Sequence, residues 1–243
     1  MTADSFTHGW NACRACHNAG DDLRVDGDWH IRANPGYWGA SEPEVLVLGF
    51  SKGANQTTRA PEEFDRIAFN GIRERLQDVL ATLGVDLGGS TLDQALSAVT
   101  GGGPIGAASL VRCGLSMMDK GKLTTSGTIM PAALRSPVIR TVMAQCMHSH
   151  LASLPPSVKL VVLLGTSDGY IKGVMRLARD QFADFRRLDD ASFMADGRPW
   201  VFATHPSRLN GHFNSWMTGD SSTTAGRKRD LAVKRSREAL CEA

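Results

Sequence analysis

The chain has 243 residues, 27 Lys and Arg against 25 Asp and Glu, 42% apolar and 21% charged residues, and five cysteines. That balance is ordinary for a globular protein and excludes disordered, collagenous and coiled-coil chains. At about 150 residues per domain, the length fits one α/β domain with a substantial core better than two.

No apolar run approaches the ~20 residues of a membrane span. The polar N-terminus lacks the basic-then-apolar order of a signal peptide. A cytoplasmic protein with no membrane attachment is therefore expected. Five cysteines are too few for a secreted disulfide scaffold, and an odd number with one Cys-x-x-Cys fits metal or cluster ligation in a reducing compartment.

In chain order, the first feature is Cys13-Arg14-Ala15-Cys16. The apolar run Val45 to Phe50 reads as a buried strand leaving into Gly49-Phe50-Ser51-Lys52-Gly53-Ala54-Asn55. Phe64, Ile67, Ala68, Ile72, Leu76, Val79, Leu80 and Leu83 recur at helical spacing. Gly88 to Pro104 reads as a loop or connector, and Ser109 to Cys113 as a second strand. A helix through Ile139, Val142, Met143, Cys146 and Leu151 stops before Pro155-Pro156. Val158 to Gly165 and Trp200 to Thr204 complete four strands, and helices are expected over Tyr170 to Phe185 and Arg227 to Leu240. Alternating strands and helices of this kind predict a three-layer α/β/α fold around a four-stranded parallel sheet.

Ligands of such sheets bind beyond the carboxyl ends of the strands. The polar exits there are the Gly49 to Asn55 loop, Gly165-Thr166-Ser167, and Thr204 to His212. Cys13, Cys16, Cys113 and Cys146 form a natural set of four thiolates for one metal centre, with Cys241 left over. Cys113 and Cys146 read equally well as small buried apolar residues. The charge total of +2 conceals a basic stretch, Gly226 to Arg237, that is either a solvated helix face or a contact for nucleic acid.

Ser109 to Cys113, Cys146 and the strand Lys159 to Gly165 resemble the middle of the uracil-DNA glycosylase superfamily. The whole chain, 1–243, then reads as one such domain, with 1–43 an N-terminal cluster-binding segment. In the iron–sulfur branches of that family, families four and five, an N-terminal Cys-x-x-Cys joins two later cysteines around a [4Fe–4S] cluster. The resemblance implies such a cluster on Cys13, Cys16, Cys113 and Cys146, with structural zinc as the chemical runner-up. The longer spacing between Cys113 and Cys146 suggests an inserted loop around Met117 to Met130.

His205-Pro206-Ser207-Arg208-Leu209 resembles that family's His-Pro-Ser-Pro-Leu motif. The resemblance implies that His205 meets the leaving uracil and Leu209 fills the vacated place in the duplex. Gly49-Phe50-Ser51-Lys52-Gly53 stands at the first motif, where relatives carry a carboxylate or amide that positions water. Here Phe50 replaces it, so Ser51 and Asn55 are the catalytic candidates and Gly49 and Phe50 the substrate-side ones. Phe69 is the stacking candidate, with Asn70 beside it. Ser109 stands where relatives place an Asn on the pyrimidine edge.

Lys52, Ser207, Arg208, Asn210 and His212 are expected on the DNA backbone. The expected activity is hydrolysis of the N-glycosidic bond of uracil in DNA, by a monomer. The alternatives are a DNA-binding protein that recognises uracil or abasic sites with little turnover, and a zinc-stabilised hydrolase or transferase acting on a nucleotide.

Overall fold

The computed structural model describes residues 5–18, 20–53, 56, 64–125 and 129–241. The N-terminal part carries β1 (Gly9–Trp10), β2 (Leu23–Asp26), β3 (Trp29–Arg32) and the long β4 (Gly36–Gly49). After it come α1 (Phe64–Ile67), α2 (Arg73–Thr82), α3 (Leu92–Ala95), β5 (Val99–Ser109), β6 (Gly114–Asp119) and β7 (Lys122–Thr125). The second half runs α4 (Met130–Ala133), α5 (Pro137–Leu151), β8 (Leu160–Leu164), α6 (Asp168–Gln181), β9 (Arg186–Arg187), β10 (Ser192–Ala195), β11 (Arg198–Ala203), α7 (Phe213–Thr218) and α8 (Thr224–Cys241).

Four strands, β5, β4, β8 and β11, pair in parallel as neighbours at the centre of the main sheet. β1 joins antiparallel at one side, and β10 and β9 extend the other. Successive side chains alternate faces. Leu46, Leu48, Val161, Leu163 and Phe202 bury on one face beneath Ile139, Val142 and Met143 of α5 and Val174 and Ala178 of α6. Val45, Val47, Val162 and Val201 bury on the other beneath Leu76, Val79 and Leu80 of α2, Trp216 of α7 and Ala232 of α8. Helices thus cover both faces of a mostly parallel sheet. Among the described residues no helix is long and apolar enough to cross a membrane.

The second parallel strand lies earlier than expected. Gly101 to Pro104, read as connector, belongs to β5, and Ser109 ends that strand instead of opening one. The glycines join the ladder through their backbones: Gly102 stands opposite Glu42 and Gly103 opposite Pro43, and Ala107 pairs with both Trp38 and Val47, so β5 lies within β4's own course. At Gly106 a Cβ would stand 1.8 Å from the Tyr37 hydroxyl. The long first helix is also broken, at Ala68 to Ile72, where Phe69 (φ 53°) and Gly71 (φ 74°) are left-handed. The expected insertion is a hairpin, β6–β7, that joins β2 and β3 in a second, antiparallel sheet.

Candidate functional site

Beyond the carboxyl ends of β4, β5 and β11 lies a cavity of about 370 Å³. That places it at the small end of the roughly 300–1,000 Å³ range of ligand sites. Gly49 and Ser109 end adjacent strands in register, and a Cβ at Gly49 would meet the Ser109 hydroxyl at 3.7 Å. The missing side chain keeps Ser109 accessible from the cavity. Ser51 lines the same wall, and its buried hydroxyl has no hydrogen-bond partner among the described residues.

Phe69 and Asn70 line the opposite side. A bulky residue at positive φ costs about 1–2 kcal/mol and persists only where its surroundings impose it. The left-handed turn at Phe69 is closed by the Ile72 N–H on the Phe69 carbonyl at 3.0 Å. Had α1 run on into α2, position 69 would have continued the helix. The break turns the half-buried ring into the cavity wall.

His205 follows β11 and also lines the cavity. The Ser207 backbone N–H donates to its Nδ1 at 3.0 Å. Burial lowers its pKa to about 4, so near pH 7 the ring is neutral with its proton on Nε2. Asn210 locks the loop that carries it, donating to the Thr204 hydroxyl at 2.9 Å and the His205 carbonyl at 2.7 Å. Leu209 lines the cavity rim with 96% of its surface exposed, which is unusual for a large apolar residue held between two turns.

The structure thus brings His205, Ser51, Ser109, Phe69, Asn70, Gly49, Ser207 and Leu209 to one cavity. Phe50 is not among them. Its side chain is buried in the core, edge-on to Tyr170 with centroids 6.3 Å apart, because Gly49 and Ser51 occupy the cavity-facing positions of that turn. Lys52 does not reach the surface. It is 1% exposed, donates to the carbonyls of Asn34 and Arg112 and lies 5.5 Å from the Trp10 ring and 5.6 Å from the Trp38 ring, so it has no access to a phosphate. Asn210 spends its carboxamide inside the loop, also accepting from the His212 N–H at 3.1 Å, and acts as a brace. His212 is exposed at the start of α7 and lines no part of the cavity. Arg208 is exposed next to Leu209. Asn55 lies outside the described residues.

Three wall residues escaped the sequence reading. Trp38 stacks on Phe64 at 4.7 Å and donates its indole N–H to the Phe64 carbonyl. Gln56 accepts from the Gly53 N–H and donates to the Ile67 carbonyl. Thr125 arrives from the end of β7. Gln56 lies one residue beyond the loop singled out, Gly49 to Asn55; Trp38 and Thr125 carry no signal short of the tertiary fold.

The four cysteines interact behind this site. The Cys16 and Cys146 side chains share a hydrogen bond, which lowers Cys16 to about 7 and, together with burial, raises Cys146 well above its usual value. Burial pushes Cys113 up to about 11, against the field of Lys52, while Cys13 and Cys16 add to the rise. Backbone N–H groups of Asn34 and Arg112 reach the sulfurs of Cys113 and Cys146. Among the described residues no three His, Cys, Asp or Glu converge on a point suited to a single ion. A four-iron cube, by contrast, is held at its corners, by ligands set farther apart than those of one ion.

Arg112 is 3% exposed, gives one bond to the Ser5 carbonyl at 3.1 Å and leaves its Nε and second terminal nitrogen without a hydrogen-bond partner among the described residues. Among the described residues neither Lys52 nor Arg112 pairs with a carboxylate, and both lie in the field of the cysteines. Buried cations need an anion; four thiolates bound to a metal centre would supply one.

A larger hollow, about 550 Å³, lies at the opposite ends of β8 and β11. Of its four cations, Lys159, Arg198 and Arg235 are already bonded to Glu44, Asp196 and Glu238, while Arg186 is exposed on its wall. The basic C-terminal stretch is likewise partly committed. Lys228 binds Asp168 at 2.6 Å and the Thr166 carbonyl at 2.7 Å, and Arg235 binds Asp189.

Compared with models of known protein families and with proteins of curated function, the chain has no match.

Proposed function

We propose that this chain is a DNA glycosylase of the uracil-DNA glycosylase kind, one that extrudes uracil from DNA and hydrolyses its N-glycosidic bond. One observation carries the reading: a strained aromatic residue, a neutral histidine with its donor on Nε2 and an exposed leucine meet at one cavity beyond the strand ends. Extruding a base costs a few kcal/mol of lost stacking, and an apolar wedge and an aromatic platform offset it. Leu209 and Phe69 are suited to those two parts.

The bond between the sugar C1′ and the base nitrogen breaks with its electron pair passing to the base. Charge then develops on the pyrimidine oxygen, and a hydrogen bond from His205 Nε2–H stabilises it. A neutral donor suffices. Water attacks C1′ and loses its proton to solvent, and the unpartnered Ser51 hydroxyl is the group placed to orient it. Ser109 and Asn70 supply hydrogen bonds to the base edge.

Cys13, Cys16, Cys113 and Cys146 would hold a [4Fe–4S] cluster, which when bound ties the N-terminal segment to the sheet; zinc is the runner-up. Action as a monomer is part of the proposal.

The test is a uracil-containing oligonucleotide under single-turnover conditions. Alkali-labile abasic sites are expected. Retention of uracil or abasic DNA without product would favour the second reading, a recognition protein with little turnover. The wall chemistry gives that reading its support: among the described residues no carboxylate lines the cavity, and Ser109 cannot span two edge atoms as a carboxamide does.

A further inference from the structure

We propose that Arg75 and Arg208 form a phosphodiester site beside the base cavity, which grips the DNA backbone next to the extruded nucleotide. The inference rests on the DNA reading above and adds to it a residue, Arg75, from a different part of the chain.

A second hollow of about 500 Å³ is lined by Arg75, Arg208, Asn210, Gly211 and Asn214. Among the described residues no carboxylate lies on its wall and neither arginine has an acidic partner. Two uncompensated guanidinium groups on one concave wall make a local positive field that attracts anions. Arg75 is also held in place. Its guanidinium lies 3.7 Å from the centroid of the Phe213 ring, a stacked geometry that fixes the plane while leaving its N–H donors free for a bidentate acceptor. Phosphate oxygens match that fork.

The position of the hollow selects the phosphate. Leu209 lines the base cavity, whereas its two sequence neighbours, Arg208 and Asn210, line the second hollow. The two sites are therefore one residue apart along a loop that Asn210 holds rigid. On the other side, Phe69 in the turn before α2 serves the base cavity and Arg75 in the first turns of α2 serves the second. With Leu209 in the base stack, the chain segment filling the second hollow is sugar-phosphate backbone adjoining the vacated position. The exposed Asn214 carboxamide adds a neutral donor.

The test measures binding of the full-length protein to two labelled duplexes, one undamaged and one carrying a tetrahydrofuran abasic analogue, over about 50 to 200 mM salt. Arg75→Ala and Arg208→Ala are each expected to weaken binding about fivefold on both duplexes and to make the log–log salt slope shallower by about 0.9. Arg186→Ala, which removes the same charge at the far hollow, is expected to leave the slope unchanged. Equal slopes for Arg75→Ala, Arg208→Ala and the wild type would overturn the site while leaving the DNA reading intact. So would an equal loss in Arg186→Ala, since that would make the effect one of net charge. Failure of the wild type to bind either duplex would remove the DNA reading itself, and this site with it.

Discussion

The Ser207 backbone N–H points at Nδ1 of His205 from 3.0 Å, so a main-chain donor two residues along the loop decides which ring nitrogen carries the proton. Removing the opposite nitrogen's donor in His205→Ala should slow single-turnover excision by about 10²- to 10³-fold, the usual effect of losing one donor to a developing anion. DNA affinity should change little. An unchanged rate would take His205 out of the reaction.

Acidity offers a second reading of the same ring. Burial holds His205 near 4, against about 6.5 in an unfolded chain. Between those values the unfolded chain takes up a proton that the folded one refuses, so the contribution of His205 to stability falls as pH drops from about 6.5 towards 4 and is flat above. The excision rate should show no inflection from this group between pH 5 and 8. An inflection near 6.5 that disappears in His205→Gln would contradict the neutral-donor role.

At position 69, two truncations separate strain from stacking. Phe69→Ala and Phe69→Gly both lose the ring and should weaken binding of extruded-base DNA by about 1–3 kcal/mol. Only glycine relieves the left-handed backbone, so Phe69→Gly should be more stable to urea than Phe69→Ala, by up to about 1 kcal/mol. Equal stability of the two would mean that the turn at φ 53° stores no strain.

Leu209 is nearly all in solvent, so Leu209→Ala should leave thermal stability unchanged. Its effect should be confined to duplex DNA, where unstacking must be offset, and excision from single strands should persist. An equal loss on both substrates would show that Leu209 is not acting as a wedge.

The two buried cations give the metal centre a test. If a negatively charged thiolate centre faces Lys52, Lys52→Met leaves it under-compensated and should destabilise the protein by roughly 3–5 kcal/mol, with loss of bound metal. If the thiols stay protonated, burial holds Lys52 near 7 and the same change exchanges a partly neutral amine for an apolar side chain, so the loss of stability should be smaller, about that of its two hydrogen bonds to Asn34 and Arg112, with metal content unchanged. Elemental analysis of iron and zinc, alongside urea denaturation, distinguishes the two. Cys146→Ser should abolish metal content, whereas Cys241→Ser, at the exposed far end of the chain, should not.

Much of this was legible in residue order because apolar runs report burial directly. Val45 to Gly49, Leu160 to Leu164 and the end of β11 are strands where the pattern places them; the exits after Gly49 and Thr204 meet at the cavity, whereas Gly165 to Ser167 lines no part of it and caps α6 instead. Lys52 was misjudged because a lysine between a serine and a glycine reads as a solvated loop residue; only the fold brings the Asn34 and Arg112 carbonyls round it. β5 was misplaced because Gly102 and Gly103, normally loop signals, pair through their backbones with Glu42 and Pro43 of β4, a partnership no local pattern encodes. Thr125 and Arg75 come from elements whose docking no local pattern encodes.

Arg112 and Lys52 also bear on how firmly the N-terminal segment is held. Arg112 binds the Ser5 carbonyl and Cys16 bonds Cys146, so the N-terminal segment is the cover over two positive charges. Closed without a negative partner, that cover leaves Arg112 charged and brings Lys52 down to about 7, partly neutral. If a thiolate centre is bound there, residues 5–18 should be held more firmly with it than without it, and hydrogen exchange at those amides would register the difference.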